Sequence, residues 1–182
     1  MANFVNANTY QTWDDYFTTE EIWEKVIHLI PTEKRIWEAC MLNADASESP
    51  EILKRLGCEN LISDTHMDML VSQPDDWDMI VTNIPFDLEF KKPILKRLVE
   101  LDKPFLIIMN SMNLYTKYMR QIFEGKFGDL QVINPYGKLQ FTKLLEDGTT
   151  EMSGNCSFYS VFVAYKMNIP NEQLWLLTGQ NN

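Results

Sequence analysis

A chain of 182 residues, 45% hydrophobic and 23% charged, has the composition of one well-packed domain, which excludes disordered, collagenous and disulfide-scaffold classes. Its 16 Lys and Arg against 26 Asp and Glu give a net charge of −10, a sign that repels nucleic acid and anionic membrane unless a local exception exists. Three cysteines without CxxC spacing (Cys40, Cys58, Cys156) and only two histidines (His28, His66) argue against a disulfide framework, a metal centre or His-based catalysis.

Residues 1–15 read as an N-terminal extension with neither a basic region nor an apolar run, so no leader is expected. Thr18 and Thr19, followed by Glu20 and Glu21, precede Ile22, Trp23, Val26, Ile27 and Ile30. That pattern predicts a Thr-capped helix that Pro31 ends. Residues 35–40 predict a short strand, and Pro50 to Leu56 a helix stopped by Gly57. Two further strands are predicted at 60–63 and 78–83, both buried because their apolar residues run together rather than alternate. Ile94, Leu95, Leu98 and Leu101 predict a helix over 93–101 that begins at Pro93 and leads into a strand at 105–109. A helix at 115–123 and a strand at 130–133 follow. The extended segments 138–142 and 157–166 are expected to close the sheet as a hairpin across a loop at 145–155, and the residues from 168 read as a tail. No stretch nears the roughly 20 apolar residues of a membrane span. The expectation is a single soluble, cytoplasmic α/β domain over 1–182 with a Rossmann-like doubly wound sheet, whose ligands bind at the carboxyl ends of the strands.

The most specific signal at those ends is Asn83-Ile84-Pro85-Phe86, directly after the buried strand at 78–83. The four residue types also make an ordinary strand-end turn. They resemble the amino-methylating motif of S-adenosylmethionine-dependent adenine methyltransferases, and the order of the neighbouring segments resembles a compact class of phage and viral N6-adenine methyltransferase-like proteins of the class I fold. Residues 16–23 are similar to that family's aromatic-x-Thr-Pro opening, Ile36-Trp37-Glu38-Ala39 to its first strand, and Asp68-Met69-Leu70 to its adenine-contacting turn. The resemblance implies catalytic roles for Asn83, Ile84, Pro85 and Phe86. The Asn83 side-chain carbonyl and the Ile84 backbone carbonyl would accept the two hydrogens of an adenine amine. Pro85 would stiffen the turn, and Phe86 would stack on a flipped base. It implies cofactor-binding roles for Phe17, Thr19, Glu38, Asn43, Asp64 and Asp68, and no metal. In a plainer reading the two aspartates are strand-end and turn caps, whereas Glu38, at the inner end of a buried strand, needs a partner in any reading.

Two features complicate that function. The stretch Cys40 to Ser47, where the family carries a glycine-rich turn, contains no glycine, so Leu42 would stand where cofactor lies and a left-handed turn becomes costly. This motivates an alternative: a degenerate fold that has lost S-adenosylmethionine binding and serves as a binding or scaffold subunit beside a protein partner. The charge is also uneven. Residues 91–143 carry ten basic side chains against four acidic ones, a net +6, so a basic strip for nucleic acid, DNA ahead of RNA, is expected there. The chain has little room for a separate recognition domain.

Overall fold

The computed structural model describes residues 16–41, 47–144, 150–152 and 159–176. In chain order these form β1 (Tyr16–Phe17), α1 (Glu20–Glu24), β2 (Ile36–Glu38), α2 (Ser49–Arg55), β3 (Leu61–Ser63), β4 (Met79–Asn83), α3 (Leu88–Leu101), β5 (Phe105–Asn110), α4 (Lys117–Ile122), β6 (Leu130–Pro135), β7 (Thr142–Leu144), β8 (Thr150–Met152), β9 (Ser160–Tyr165) and β10 (Trp175–Leu176), with short 3₁₀ turns between. The main sheet has the order β10-β6-β9-β5-β4-β2-β3. β2, β3, β4 and β5 are parallel, and β9 is antiparallel to both β5 and β6. This is the expected Rossmann-like sheet, closed by an antiparallel strand.

Both faces are covered, as continuous apolar strands require. Ile36, Val81, Ile108 and Phe162 pack with α1, α2 and Phe141 on one face. Trp37, Ile80, Ile107 and Val163 pack with α3 and α4 on the other. The alternation of Ile80 and Val81 between these clusters follows from the two-residue period of a strand. β2 lies between β3 and β4, so the chain leaves it first to one side and then to the other. The carboxyl ends of β2 and β4 therefore flank the topological switch point, where ligands of such sheets bind.

Several elements differ from expectation for physical reasons. α3 begins five residues before Pro93, because Asp87 Oδ1 accepts the Glu89 N–H at 2.8 Å and caps it there; the proline lies inside the helix. Thr19 is the N-cap residue of α1, but its hydroxyl donates to the Gln140 carbonyl at 3.1 Å instead of capping, and α1 stops at Glu24 before a separate 3₁₀ turn at Ile27–Leu29. The closing hairpin is β6 with β9. Residues 138–142 do not pair in it: Leu139 and Phe141 insert into the core, and β7 joins β1 and β8 in a small antiparallel sheet. The tail re-enters the fold as β10, which extends the sheet beside β6.

At the amino edge, Asp102 caps α3 in the left-handed conformation (φ 51°) and accepts hydrogen bonds from Lys126 (2.6 Å), Lys166 (2.7 Å) and Tyr165 (2.8 Å), which hold its carboxyl well below the usual carboxylate range. Asp102→Gly removes this clamp but suits the backbone, whereas Asp102→Ala removes the clamp and adds left-handed strain. Urea unfolding is expected to rank wild type above Gly above Ala, with the two variants separated by about 1 kcal/mol. Ala equal to Gly would place no strain at Asp102.

Candidate active site

Glu38 ends β2 with a side chain 2% exposed. Its carboxylate is held by two hydroxyl groups from distant segments: Thr82 of β4 donates to Oε1, and Ser49 at the start of α2 donates to Oε2 at 3.2 Å. Ser49 in turn accepts the Trp23 indole N–H at 2.8 Å, and Thr82 Oγ1 accepts the Cys40 backbone N–H at 3.1 Å. Glu38 thereby ties α1, α2, β2 and β4 together at the switch point. Burial pushes its carboxyl up to about 7, against the opposing effect of the Thr82, Ser49 and Cys40 donors. Burial and the neighbouring Glu38 also push the Cys40 thiol up to about 12, which keeps it from acting as a thiolate.

Asn83 ends β4, opposite Ile108 of β5. Its Oδ1 is buried and has no hydrogen-bond partner among the described residues. Buried polar atoms are nearly always paired, so an acceptor left open at a strand end is a feature to explain. Ile84 is buried, and its N–H reaches the Ile108 carbonyl at 3.4 Å, which extends the ladder one residue past Asn83 and aligns the turn with β5. Pro85 follows with no cis peptide bond.

Phe86 departs from the expected stacking role. Its ring is 6% exposed and meets Phe141 edge-on, with centroids 5.8 Å apart, so it is part of the core. A base could stack on it only by displacing Phe141.

Lys91 is a residue whose place the expected basic strip concealed. It is 4% exposed, and its Nζ donates to the Phe86 carbonyl at 2.7 Å and to Asn113 Oδ1 at 3.4 Å. Asn113 is fixed through its Nδ2 donation to the Asn110 carbonyl at 2.8 Å. Lys91 thus holds the Asn83–Phe86 turn against the segment that follows β5. The spacing Lys91, Ile94, Leu95, Leu98 puts it on the buried stripe of α3, and that periodicity was the available signal.

The remaining positions are separate. Asp64, exposed after β3, accepts the His66 N–H at 2.8 Å; Asp68 accepts the Leu70 N–H at 2.9 Å. Both form local turns at the carboxyl edge, and Arg97 of α3 steadies the second by donating to the Met69 carbonyl at 3.2 Å. Phe17 lies in β1, paired with Thr142, next to Thr19 and its bond to Gln140. Asn43 and Leu42 lie outside the described residues. Of the expected basic strip, Lys91 is buried, while Lys103 and Lys126 sit at the amino edge, the first donating to the Trp77 carbonyl and the second to Asp102. The ten side chains therefore do not form one strip. Among the described residues no cluster of three or more His, Cys, Asp or Glu could hold a metal, and no helix is long and apolar enough to cross a membrane.

No protein-family model matches the chain, and no curated protein matches it in sequence. Among solved structures it is similar to a dimethyladenosine transferase from Plasmodium falciparum, with TM-score 0.47, 15% identity, and coverage of 86% of this chain and 63% of that one. It is also similar to an S-adenosylmethionine-dependent O-methyltransferase from Thermotoga maritima, with TM-score 0.37, 9% identity, and coverage of 91% and 67%. These are likenesses of fold, and the chain spans less than two thirds of the first structure.

Proposed function

We propose that this protein is an S-adenosylmethionine-dependent methyltransferase that acts on the exocyclic amine of adenine in nucleic acid, DNA ahead of RNA. The observation that carries the reading is the unpaired acceptor: Asn83 Oδ1 is buried and has no partner among the described residues, at the carboxyl end of β4 beside the switch point. An acceptor kept dry and unpaired binds an N–H donor without first losing a protein hydrogen bond. The adenine amine is such a donor, and it is a poor nucleophile because its lone pair is delocalised into the ring. With one hydrogen on Asn83 Oδ1 and the other on the Ile84 carbonyl, the nitrogen is held pyramidal with its lone pair localised. Its surplus proton passes to water after transfer.

S-adenosylmethionine, when bound, supplies a methyl group on a positively charged sulfur. Asp64, exposed after β3, would hold its ribose hydroxyls, the Asp68 turn its adenine, and Phe17 and Thr19 its methionine end. Glu38 has both oxygens engaged by Thr82 and Ser49, so it shapes the site rather than touching the cofactor. Lys91, by fixing the Phe86 carbonyl, keeps the turn that carries Asn83 and Ile84 in place.

Isothermal titration with S-adenosylmethionine, followed by radiolabelled methyl transfer to adenine-containing oligonucleotides, tests the reading. Binding together with label recovered as N6-methyladenine is expected. No heat at millimolar cofactor sinks it and leaves the scaffold alternative, which the glycine-free stretch after β2 favours. Lys91→Met is expected to lower kcat about tenfold to a hundredfold with cofactor affinity unchanged, because a displaced turn misplaces both acceptors. A loss confined to cofactor affinity would remove Lys91 from this role.

A further inference from the structure

The burial of Phe86 leaves an incoming base without a ring at the expected position, and the structure offers exposed rings elsewhere on the same edge. β5, β9 and β6 are neighbours whose register aligns Ile108, Phe162 and Ile133. Beyond that row each strand end carries a large solvent-exposed side chain: Tyr115 (83%) and Met112 (68%) after β5, Tyr159 (60%) before β9, and Tyr136 (64%) after β6. The Ser111 N–H donates to the Tyr159 carbonyl at 2.8 Å, so the first two groups adjoin. Lys138 Nζ lies 4.9 Å from the Tyr159 ring centroid. At about 4.8 Å per strand, the row begins one strand from Asn83, on β5 beside β4. Tyrosines exposed to this degree contribute little to the core, and isolated exposed apolar residues are ordinary, but four on three adjacent strand ends form a surface.

The segments that carry two of the three tyrosines of this surface are opposite in charge to the whole chain. Residues 111–123 and 130–144, which contain Tyr115 and Tyr136, hold four basic side chains (Lys117, Arg120, Lys138, Lys143) and no acidic one, in a protein of net −10. Aromatic faces interleaved with cations suit a polyanion whose bases are unstacked. Ser160, next to Tyr159 and opposite Asn110, adds a buried hydroxyl oxygen with no hydrogen-bond partner among the described residues.

We infer that this edge is a shelf for single-stranded nucleic acid: unpaired bases stack on Tyr115, Tyr136 and Tyr159, phosphates meet Lys117, Arg120 and Lys138, and the strand is thereby led to Asn83. A duplex, whose bases are already stacked, would meet only the cations. The inference rests on the proposed function for the identity of the target base, but binding is measurable without cofactor.

Fluorescence anisotropy with the full chain tests it, using a labelled single-stranded DNA, the RNA of the same sequence and the corresponding DNA duplex. At least one single strand is expected to bind about tenfold more tightly than the duplex, and the DNA and RNA arms identify which. The triple variant Y115A/Y136A/Y159A is expected to lose about a hundredfold in affinity, as the loss of several stacked bases implies. Photocrosslinking of a bromouracil strand to the wild-type protein, mapped by mass spectrometry, gives a second readout that does not depend on the variant's folding, with crosslinks expected at the three tyrosines. Equal or tighter duplex binding, undiminished affinity in a folded triple variant, crosslinks confined to other surfaces, or no binding of any strand overturns the shelf. Tyrosine-dependent strand binding without any methylation would instead support the shelf and remove the proposed function.

Discussion

Asn83→Ala is expected to lower methyl transfer about 10²- to 10³-fold while the dissociation constant for S-adenosylmethionine stays within about twofold, because the substitution removes one fixed acceptor at the reacting nitrogen and nothing assigned to the cofactor. The same variant should be no less stable than wild type. In most buried sites, removing an amide breaks a hydrogen bond; here Oδ1 has none to break among the described residues, and an unpaired buried acceptor itself costs about 1–3 kcal/mol. A thermal midpoint equal to or above that of wild type, together with lost transfer, is the signature of a group kept for chemistry at the expense of stability. Asn83→Asp, which retains an acceptor oxygen, should recover part of the activity. If Asn83→Ala abolishes cofactor binding as well, the roles have been misassigned; if transfer persists, the methyl acceptor is not held by Asn83.

The places of β2 to β6 along the chain and the position of Asn83-Ile84-Pro85-Phe86 at a carboxyl end were legible in the sequence, because runs of β-branched and apolar residues mark the strands of a covered parallel sheet and the tetrapeptide follows one of them. β3, read as buried, is half-buried because it ends the sheet. The need of Glu38 for a partner was legible too, but not its partners. Thr82 is 44 positions away, and only the pairing of β2 with β4 brings it near. Phe86 illustrates the opposite limit. Residue type and motif position suggested an open stacking ring, whereas its exposure is decided by Phe141, 55 residues later, in a segment expected to pair as a strand. Lys91 and Lys92 look alike in a charge count, yet one is buried in the core and the other is half-buried over the Tyr118 ring, because the helix extends back past Pro93 to the Asp87 cap. Net charge over a segment is blind to that difference. For the same reason the run of ten basic side chains was legible, and its division between the carboxyl edge, the amino edge and the interior was not.

Glu38 should make stability fall as pH rises from about 4.5 to about 7. Its carboxyl is held near 7 in the folded chain against an ordinary value of 4.5, so across that window the folded state keeps a proton that the unfolded state has released. A state that binds more protons loses ground as protons become scarce, and the contribution is therefore full below about 4.5, declines through the window and levels off above about 7. The displacement corresponds to about 3 kcal/mol over the whole range. Glu38→Gln resembles the protonated acid: its amide can accept from Thr82 or Ser49 and cannot ionise. Urea unfolding at several pH values should find it close to wild type near pH 5 and more stable than wild type near pH 8, with a flatter profile between. Glu38→Ala, by contrast, leaves two buried hydroxyl donors and a void among Trp23, Ser49 and Thr82, and is expected to lose about 3 kcal/mol at pH 5. That deficit should shrink at pH 8, where wild type carries a desolvated charge that alanine does not. Parallel stability profiles for Glu38→Gln and wild type from pH 4.5 to 8 would show that the carboxylate is ionised throughout and that its hydroxyl donors outweigh its burial.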